Sequence, residues 1–514
     1  MTRTTVDPAA RLVLIAAFLL EAAIRTYHLT LPFGPGFDGW LGALYGGGAR
    51  NLARSGFVEM RLMPHLASGP LTFGEVMPQT HHPPFVWSPV AVVFRTFGVS
   101  EWSARLLPSL ATFATLGLLY LLVRRIAPAR VAAAAALAFA ALPMTGLYGG
   151  LVNFEPFVLT LTTGTYLAYL RYRETGRPLD LALTIGLFSL AILADWFGAF
   201  IGLPIAIHAL VARPHAPRWF VPLFASAGLV AVAAVFAYLE AAWPGAMAEL
   251  VRAARHRTSA VRHDFTTETY SLAEWLDVHR LYLTYHYTPL GLLLGTVGPV
   301  LAWRGLGGPG LKRAAAHTGL LALLGAQTML VFPQASFQHA FLSFPLSLAC
   351  SIGIALGAAV LWQVASRARR ARAARIAVIL TLGLAMYSAQ RTTWANLAAW
   401  RNDTAYRTVG AAIRRATAFE GGVAIPDADP TIPIVAGFYA DRVIYGGVDS
   451  LDQLDRIRRS PPRPSAPPRY VVFTRPTPPE HLALARDLLG RYAAVYDNLI
   501  VVVDLYSPLD GRAR

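Results

Sequence analysis

The chain has 514 residues, 55% of them hydrophobic and only 14% charged, whereas charged residues make up about a quarter of an ordinary soluble domain. A soluble globule is excluded, and the composition is that of a multispan membrane protein with a soluble appendage. The formal charge of +16 does not point to nucleic acid, because the arginines lie in short clusters between apolar runs, as cytoplasmic loops do.

Taken in order, the first apolar run covers residues 11 to 27 behind a short basic lead. It has the look of a signal peptide, but no small-x-small cleavage site follows, so an uncleaved first span is expected. Glu21 and Arg25 lie four apart in it and predict an intrahelical ion pair. Ten further apolar runs cover about 106–123, 131–148, 156–170, 179–194, 197–211, 219–239, 288–303, 315–332, 340–364 and 376–390, giving roughly eleven transmembrane helices. The clusters Arg124/Arg125/Arg130, Arg171/Arg173/Arg177, Arg213/Arg218, Arg304/Lys312/Arg313 and Arg367 to Arg375 then share one face, the cytoplasmic one. The run from Pro84 to Gly98 is too short for a span and contains Pro89 and Arg95, so it predicts a juxtamembrane helix on the outer surface.

The segments 28–105, 149–155, 240–287 and 333–339 fall on that outer face. The hairpin 193–200 turns there too, and Asp195 with Trp196 predicts a capped turn anchored at the headgroups. Arg252, Arg255, Arg257 and Arg262 crowd into the second large outer segment, where loops on this face are normally poor in Arg. An anionic ligand or lipid headgroup would account for them.

From residue 401 the pattern becomes soluble. Helix 404–416, the run GVAIP, the strand VIYGG, a helix over 450–459, the strand YVVFT, a helix over 479–492 and the run LIVVVDLY predict a small α/β domain over 401–514, after a membrane domain over 1–400. It lacks a G-x-G-x-x-G fingerprint. Cys350 is the only cysteine and Lys312 the only lysine. No thiolate cluster can form, and a phosphate gripped by a basic side chain must be gripped by Arg or His.

The stretch from Phe37 to Ser109 concentrates the chemistry. It holds Asp38 just after the first span, an ARN-type helix ending at Gly56, His81 and His82 before Pro83 and Pro84, and then FG-x-SEW-x-ARL-x-PS leading into the next apolar helix. This set resembles the GT-C superfamily of polytopic glycosyltransferases, in particular the bacterial relatives of protein O-mannosyltransferases and the aminoarabinose transferases. The match is dense over residues 25–125 and thin elsewhere.

The resemblance implies an all-α polytopic membrane domain with outer juxtamembrane helices, followed by a small α/β domain outside the cytoplasm. It also implies transfer of a sugar from a polyprenyl-phosphate donor to a lipid, glycan or protein acceptor, generally with inversion, in a bacterial inner membrane. Residue by residue, Asp38 matches the first-loop carboxylate that faces the acceptor hydroxyl, and Glu155 the second-loop carboxylate, usually Asp in relatives. His82 matches the loop step near the donor, and His339 a late-loop histidine. His81 joins His82 as a second donor-side residue, with Arg255 and Arg262 from the outer cluster as phosphate ligands. Arg105 matches the ARL-x-PS arginine, but its expected partner is Glu101 at i,i+4.

A carboxylate such as Asp38 can act as general base to an attacking hydroxyl, and arginines can stabilise a departing phosphate. Asp38, Glu155 and His82 have the donor atoms for a hard divalent cation; such a cation is a candidate cofactor, and the metal is left unassigned because relatives in the superfamily differ on metal dependence. Two other classes stand beside the enzyme: a transporter or flippase of lipid-linked sugars, and a noncatalytic glycan-assembly protein. Transporters place polar groups at mid-membrane on broken helices, whereas the polar residues here gather in outer loops.

Overall fold

The computed structural model describes residues 7–76, 78–212, 216–259, 270–429 and 431–509. Each of the eleven apolar runs has a helix in it. Among the described residues six helices are long and apolar enough to cross a membrane: Pro8–Leu29, Glu101–Ile126, Phe220–Ala242, Pro309–Val331, Leu346–Arg367 and the one starting at Ala371. Ala129–Ala141, Pro178–Ala194, Trp196–Val211 and Pro289–Trp303 are shorter apolar helices, and Glu155–Thr175 completes the set. The chain is a multispan membrane protein. The run after Pro84 forms a helix over Trp87–Phe97, 11 residues long. At 1.5 Å per residue it reaches about 16 Å, half of what a crossing needs.

By contact the chain divides into two compact units, residues 1–29, 80–86 and 106–397, and residues 30–79, 87–105 and 398–514. The sequence reading placed the whole first outer loop in a membrane domain over 1–400, whereas most of that loop falls with the C-terminal region.

In the first unit, several helices begin on proline, among them Pro178, Pro289 and Pro309, where a missing N–H costs nothing and φ is already helical. Small residues let helices meet backbone to backbone. A Cβ at Gly298 of Pro289–Trp303 would lie 2.4 Å from the carbonyl of Gly353 in Leu346–Arg367. The Glu21–Arg25 pair forms at 2.9 Å. Arg25 also donates to the carbonyls of Thr145 and Gly146 at 2.8 and 2.6 Å, which pins the approach to the outer loop that ends at Glu155. Gly150 in that loop passes so close to His28 that a Cβ would stand 2.5 Å from its Nδ1.

In the second unit, helix Phe37–Ser55 carries a buried face that includes Asp38, Leu41, Tyr45 and Leu52. Asn51 ties the following loop down through the carbonyls of His65 and Ala67, both at 2.8 Å. Residues 422–508 supply a five-stranded sheet, with β1 Gly422–Ile425, β2 Ile444–Gly446, β3 Pro468–Thr474, β4 Tyr492–Tyr496 and β5 Ile500–Pro508. The order is β2-β1-β3-β5-β4; β1 is parallel to both neighbours and β5 antiparallel to both of its own. Apolar residues are buried on both faces, as alternation along β3 requires, with Tyr470 and Val472 on one side and Val471 and Phe473 on the other.

One strand departs from expectation. The predicted helix over 479–492 ends at Leu489, and Tyr492–Tyr496 turns into β4, which forms a tight hairpin with β5. The β4 sequence YAAVY is apolar throughout, yet Val495 and Tyr496 are exposed at the sheet edge.

Candidate functional site

Several loop segments of the first unit converge on Arg257. His82, in the His-His-Pro-Pro step, is 3% exposed and is held on both ring nitrogens. Its Nδ1 lies 2.5 Å from Asp195 Oδ2, and its Nε2 lies 3.0 Å from a terminal nitrogen of Arg257. A guanidinium can only donate, so Nε2 must accept and the ring proton sits on Nδ1, donated to Asp195. Burial, and then the charge of Arg257, push His82 below the usual histidine range against the pull of Asp195. The ring also stacks on Phe154, with centroids 4.4 Å apart. The result is a fixed Asp195–His82–Arg257 line with a neutral imidazole in the middle.

Glu155 lies at the start of the helix Glu155–Thr175, ahead of the apolar run 156–170, and is 4% exposed. Apart from a contact with its own backbone N–H, neither carboxyl oxygen has a hydrogen-bond partner among the described residues. Burial pushes its pKa well above the carboxylate range, the nearby charge of Asp195 adds to the shift, and Arg257 opposes it. The surroundings of Glu155 therefore favour its protonated form. Arg257 also acts on His81, which burial chiefly pushes down to about 3, and on His339, which burial chiefly pushes down to about 4. His339 stacks on Phe341.

The structure thus brings His81, His82, Glu155 and His339 around Arg257 in one unit. Arg255 is exposed and is not part of this group, and Arg262 lies outside the described residues. The helix Ala246–Thr258 explains why Arg257 is the arginine that counts. Ala246 and Leu250 are its buried residues, and Arg257 follows Leu250 by two turns on the same face, while Arg252 and Arg255 point to solvent. The apolar positions at this spacing were the signal that could have singled it out.

Asp195 was expected only to cap a turn. It does cap one, since its Oδ1 accepts from the N–H of Phe197 at 3.2 Å, but its other oxygen orients His82. Trp196 reinforces the arrangement by donating from Nε1 to the carbonyl of His81 at 2.8 Å.

Asp38 belongs to the second unit. It is 3% exposed, and its Oδ2 accepts from Arg105 at 2.6 Å. The expected Arg105–Glu101 pair is not there. Arg105 is fully buried, with its second terminal nitrogen on the carbonyl of Leu31 at 2.5 Å and its guanidinium over the ring of Phe33. Glu101 instead accepts from Tyr439 Oη at 2.9 Å and lies 3.6 Å from Arg407. In a dry core the buried guanidinium takes the buried carboxylate, and the half-exposed Glu101 is satisfied at the surface.

Among the described residues no group of three or more His, Cys, Asp or Glu side chains is arranged to hold a metal ion. Nothing in the chemistry that follows is routed through one.

The fold has solved counterparts. ArnT from Cupriavidus metallidurans in the apo state is similar over 95% of this chain and 97% of its own, at 15% identity and a TM-score of 0.65. The chain has the GT-C fold. The same ArnT bound to undecaprenyl phosphate is similar at 16% identity and a TM-score of 0.64, over 96% of this chain and 97% of that one. The apo Archaeoglobus fulgidus oligosaccharyltransferase is similar at 14% identity and a TM-score of 0.60, over 90% of this chain and 69% of that one. The family described as dolichyl-phosphate-mannose-protein mannosyltransferase matches residues 81–243, the GT-C segment that contains His81, His82, Glu155 and Asp195. No curated protein matches the chain.

Proposed function

We propose that this protein is a glycosyltransferase that moves a sugar from a polyprenyl-phosphate carrier to a lipid, glycan or protein acceptor, with inversion, on the outer face of a bacterial inner membrane. The N-terminus would then be cytoplasmic. The observation that carries the reading is the likeness, along nearly the full length of both chains, to a structure solved with undecaprenyl phosphate bound.

In the reaction the bond from the sugar's anomeric carbon to the phosphate oxygen breaks and its electron pair stays on the lipid phosphate. The acceptor oxygen bonds to that carbon, and its proton passes to a base, for which Asp38 is the choice. The site in the first unit suits the leaving group. Arg257, held in place through His82 and Asp195, offers a guanidinium to the phosphate as charge builds on it. Glu155, as a neutral acid, can donate a hydrogen bond to the same oxygens. His81 and His339, kept neutral, leave the charge of Arg257 uncompensated until the phosphate arrives. Arg255, exposed on the same helix, would add only a weak, solvent-screened attraction for the headgroup.

Transfer from radiolabelled polyprenyl-phosphate sugars to endogenous acceptors, in membranes containing the wild type and Asp38→Asn, tests this. Product should form and fall by about 10²- to 10⁴-fold in the variant at equal protein level. No product from any donor would favour transport of lipid-linked sugars. The buried pair with Arg105 favours a second reading of Asp38 alone, as a structural anchor. Full activity with a lowered thermal midpoint in Asp38→Asn would select it.

A further inference from the structure

Within the second unit lies a cleft of about 480 Å³ that the transfer reaction does not use. Arg50 and Arg54 come to it from the helix Phe37–Ser55, Arg95 from Trp87–Phe97, and Arg414 from the helix Ala405–Ala416. The carboxylates at its walls are Asp441 and Glu101. Four arginines against two carboxylates leave a formal charge of +2.

Arg50 is the built element. It is 5% exposed, donates to the carbonyl of Phe438 at 2.7 Å, and lies 3.2 Å from Asp441. Its Nε and its other terminal nitrogen, both shielded from solvent, have no hydrogen-bond partner among the described residues. Burial lowers its pKa to about 10, so it is charged at neutral pH. Asp441 takes φ +53 at the end of the helix Gly437–Ala440, an unfavourable geometry for a residue with a side chain, and this aims its carboxylate at Arg50 and Arg54. Burial opposes ionisation of Asp441, but those two arginines hold it below the usual range. One carboxylate shared by two guanidiniums leaves both with donors to spend.

We propose that this cleft binds a phosphate monoester, carried by a lipid headgroup or by a soluble phosphorylated glycan. A phosphate monoester bears about −1.5 to −2 at neutral pH and three strong acceptor oxygens. That matches the +2 balance and the spread of guanidiniums better than the single charge of a carboxylate does. The volume lies in the range of ligand pockets and leaves room for a sugar beside the phosphate. The inference does not rest on the transferase reading, because binding is measured without transfer.

The test uses the full-length protein in detergent micelles and isothermal titration calorimetry with glucose 6-phosphate, glucose and glucuronate. Glucose 6-phosphate should bind at least about tenfold more tightly than either of the others, and the affinity should fall with added salt. Arg50→Gln should abolish binding. Should that variant fail to fold, the exposed pair Arg95→Gln/Arg414→Gln decides, with an expected loss of at least about tenfold, while Arg491→Gln, on the outside of the C-terminal domain, leaves affinity unchanged. In nanodiscs, competition by phosphatidic acid against the sugar phosphate identifies a lipid source, and its absence a soluble one. Equal affinity for glucuronate, no binding of glucose 6-phosphate, or an affinity unmoved by Arg95→Gln/Arg414→Gln overturns the proposal.

Discussion

In the second unit the buried carboxylates sit directly on arginines, Asp38 on Arg105 and Asp441 on Arg50 and Arg54. In the first unit Arg257 is instead surrounded by groups whose neutral form burial favours: His81, His82, His339 and Glu155. Asp195 reaches it only through the imidazole of His82. Direct pairing cancels charge and serves mainly to hold elements together, whereas a cation kept among neutral side chains retains its field for an incoming anion. On this contrast the Asp38–Arg105 pair holds elements together whatever part Asp38 takes in the proposed transfer, the proposed phosphate contact falls to Arg257, and each side can be broken separately.

The largest effect is expected at the direct pair. Asp38→Ala leaves Arg105 buried without its carboxylate, and breaking such a pair from one side costs about 3 to 5 kcal/mol. The purified protein should melt well below the wild type, while Asp38→Asn, which still offers an oxygen to Arg105, should lose less. Equal melting of Asp38→Ala and the wild type would show that the pair contributes little, and would free Asp38 for a purely catalytic role.

At the other centre, Arg257→Gln should lower transfer by about 10²- to 10³-fold, the usual cost of removing one donor to a developing negative charge, with little change in melting. Arg255→Gln is the internal control. Its side chain is exposed on the same helix, so transfer should stay within about threefold of the wild type, as expected when a surface charge is removed. A larger loss in Arg255→Gln than in Arg257→Gln would reverse the assignment.

These two centres were not equally legible. Apolar runs predicted the membrane helices because burial in lipid leaves a long, one-sided signal, and the resemblance to the GT-C superfamily singled out His82 and Glu155. What pairs with what was hidden. Arg105 and Glu101 share a helical face, and only the fold reveals that Leu31 and Asp38 offer Arg105 a drier partnership. Asp195 sits in a turn where a cap is a sufficient explanation, and its second oxygen carries no mark in the sequence. Arg257 was one of four arginines in a stretch, and only its two-turn spacing from Leu250 distinguished it. Edge strand β4 escaped because YAAVY, five apolar residues shortly after a helix, is too short to tell from that helix's continuation by pattern alone.

The smallest effect, and the sharpest on the neutral side of the comparison, is a pH slope. A carboxyl whose pKa is raised by folding binds more protons in the folded chain than in the unfolded one. Its contribution is complete below the ordinary value of 4.5 and is lost as pH rises from there through the folded-state value, at about 1.4 kcal/mol per pH unit. His82 has the opposite sign. Its pKa is lowered on folding, so its contribution is present above 6.5 and disappears as pH falls through the lower folded-state value. Between 4.5 and 6.5 the slopes of Glu155 and His82 oppose each other, while His81 and His339, lowered as well, add to that of His82, so wild-type melting should fall on acidification there. Glu155→Gln removes the slope of Glu155. The variant should therefore melt higher than the wild type at pH 7 and lose stability more steeply on acidification between those limits, even as its transfer falls. Parallel melting curves for the two proteins across this range would mean that Glu155 is ionised in the fold. The charge of Arg257 would then be compensated before any phosphate arrives, and the contrast between the two units would no longer hold.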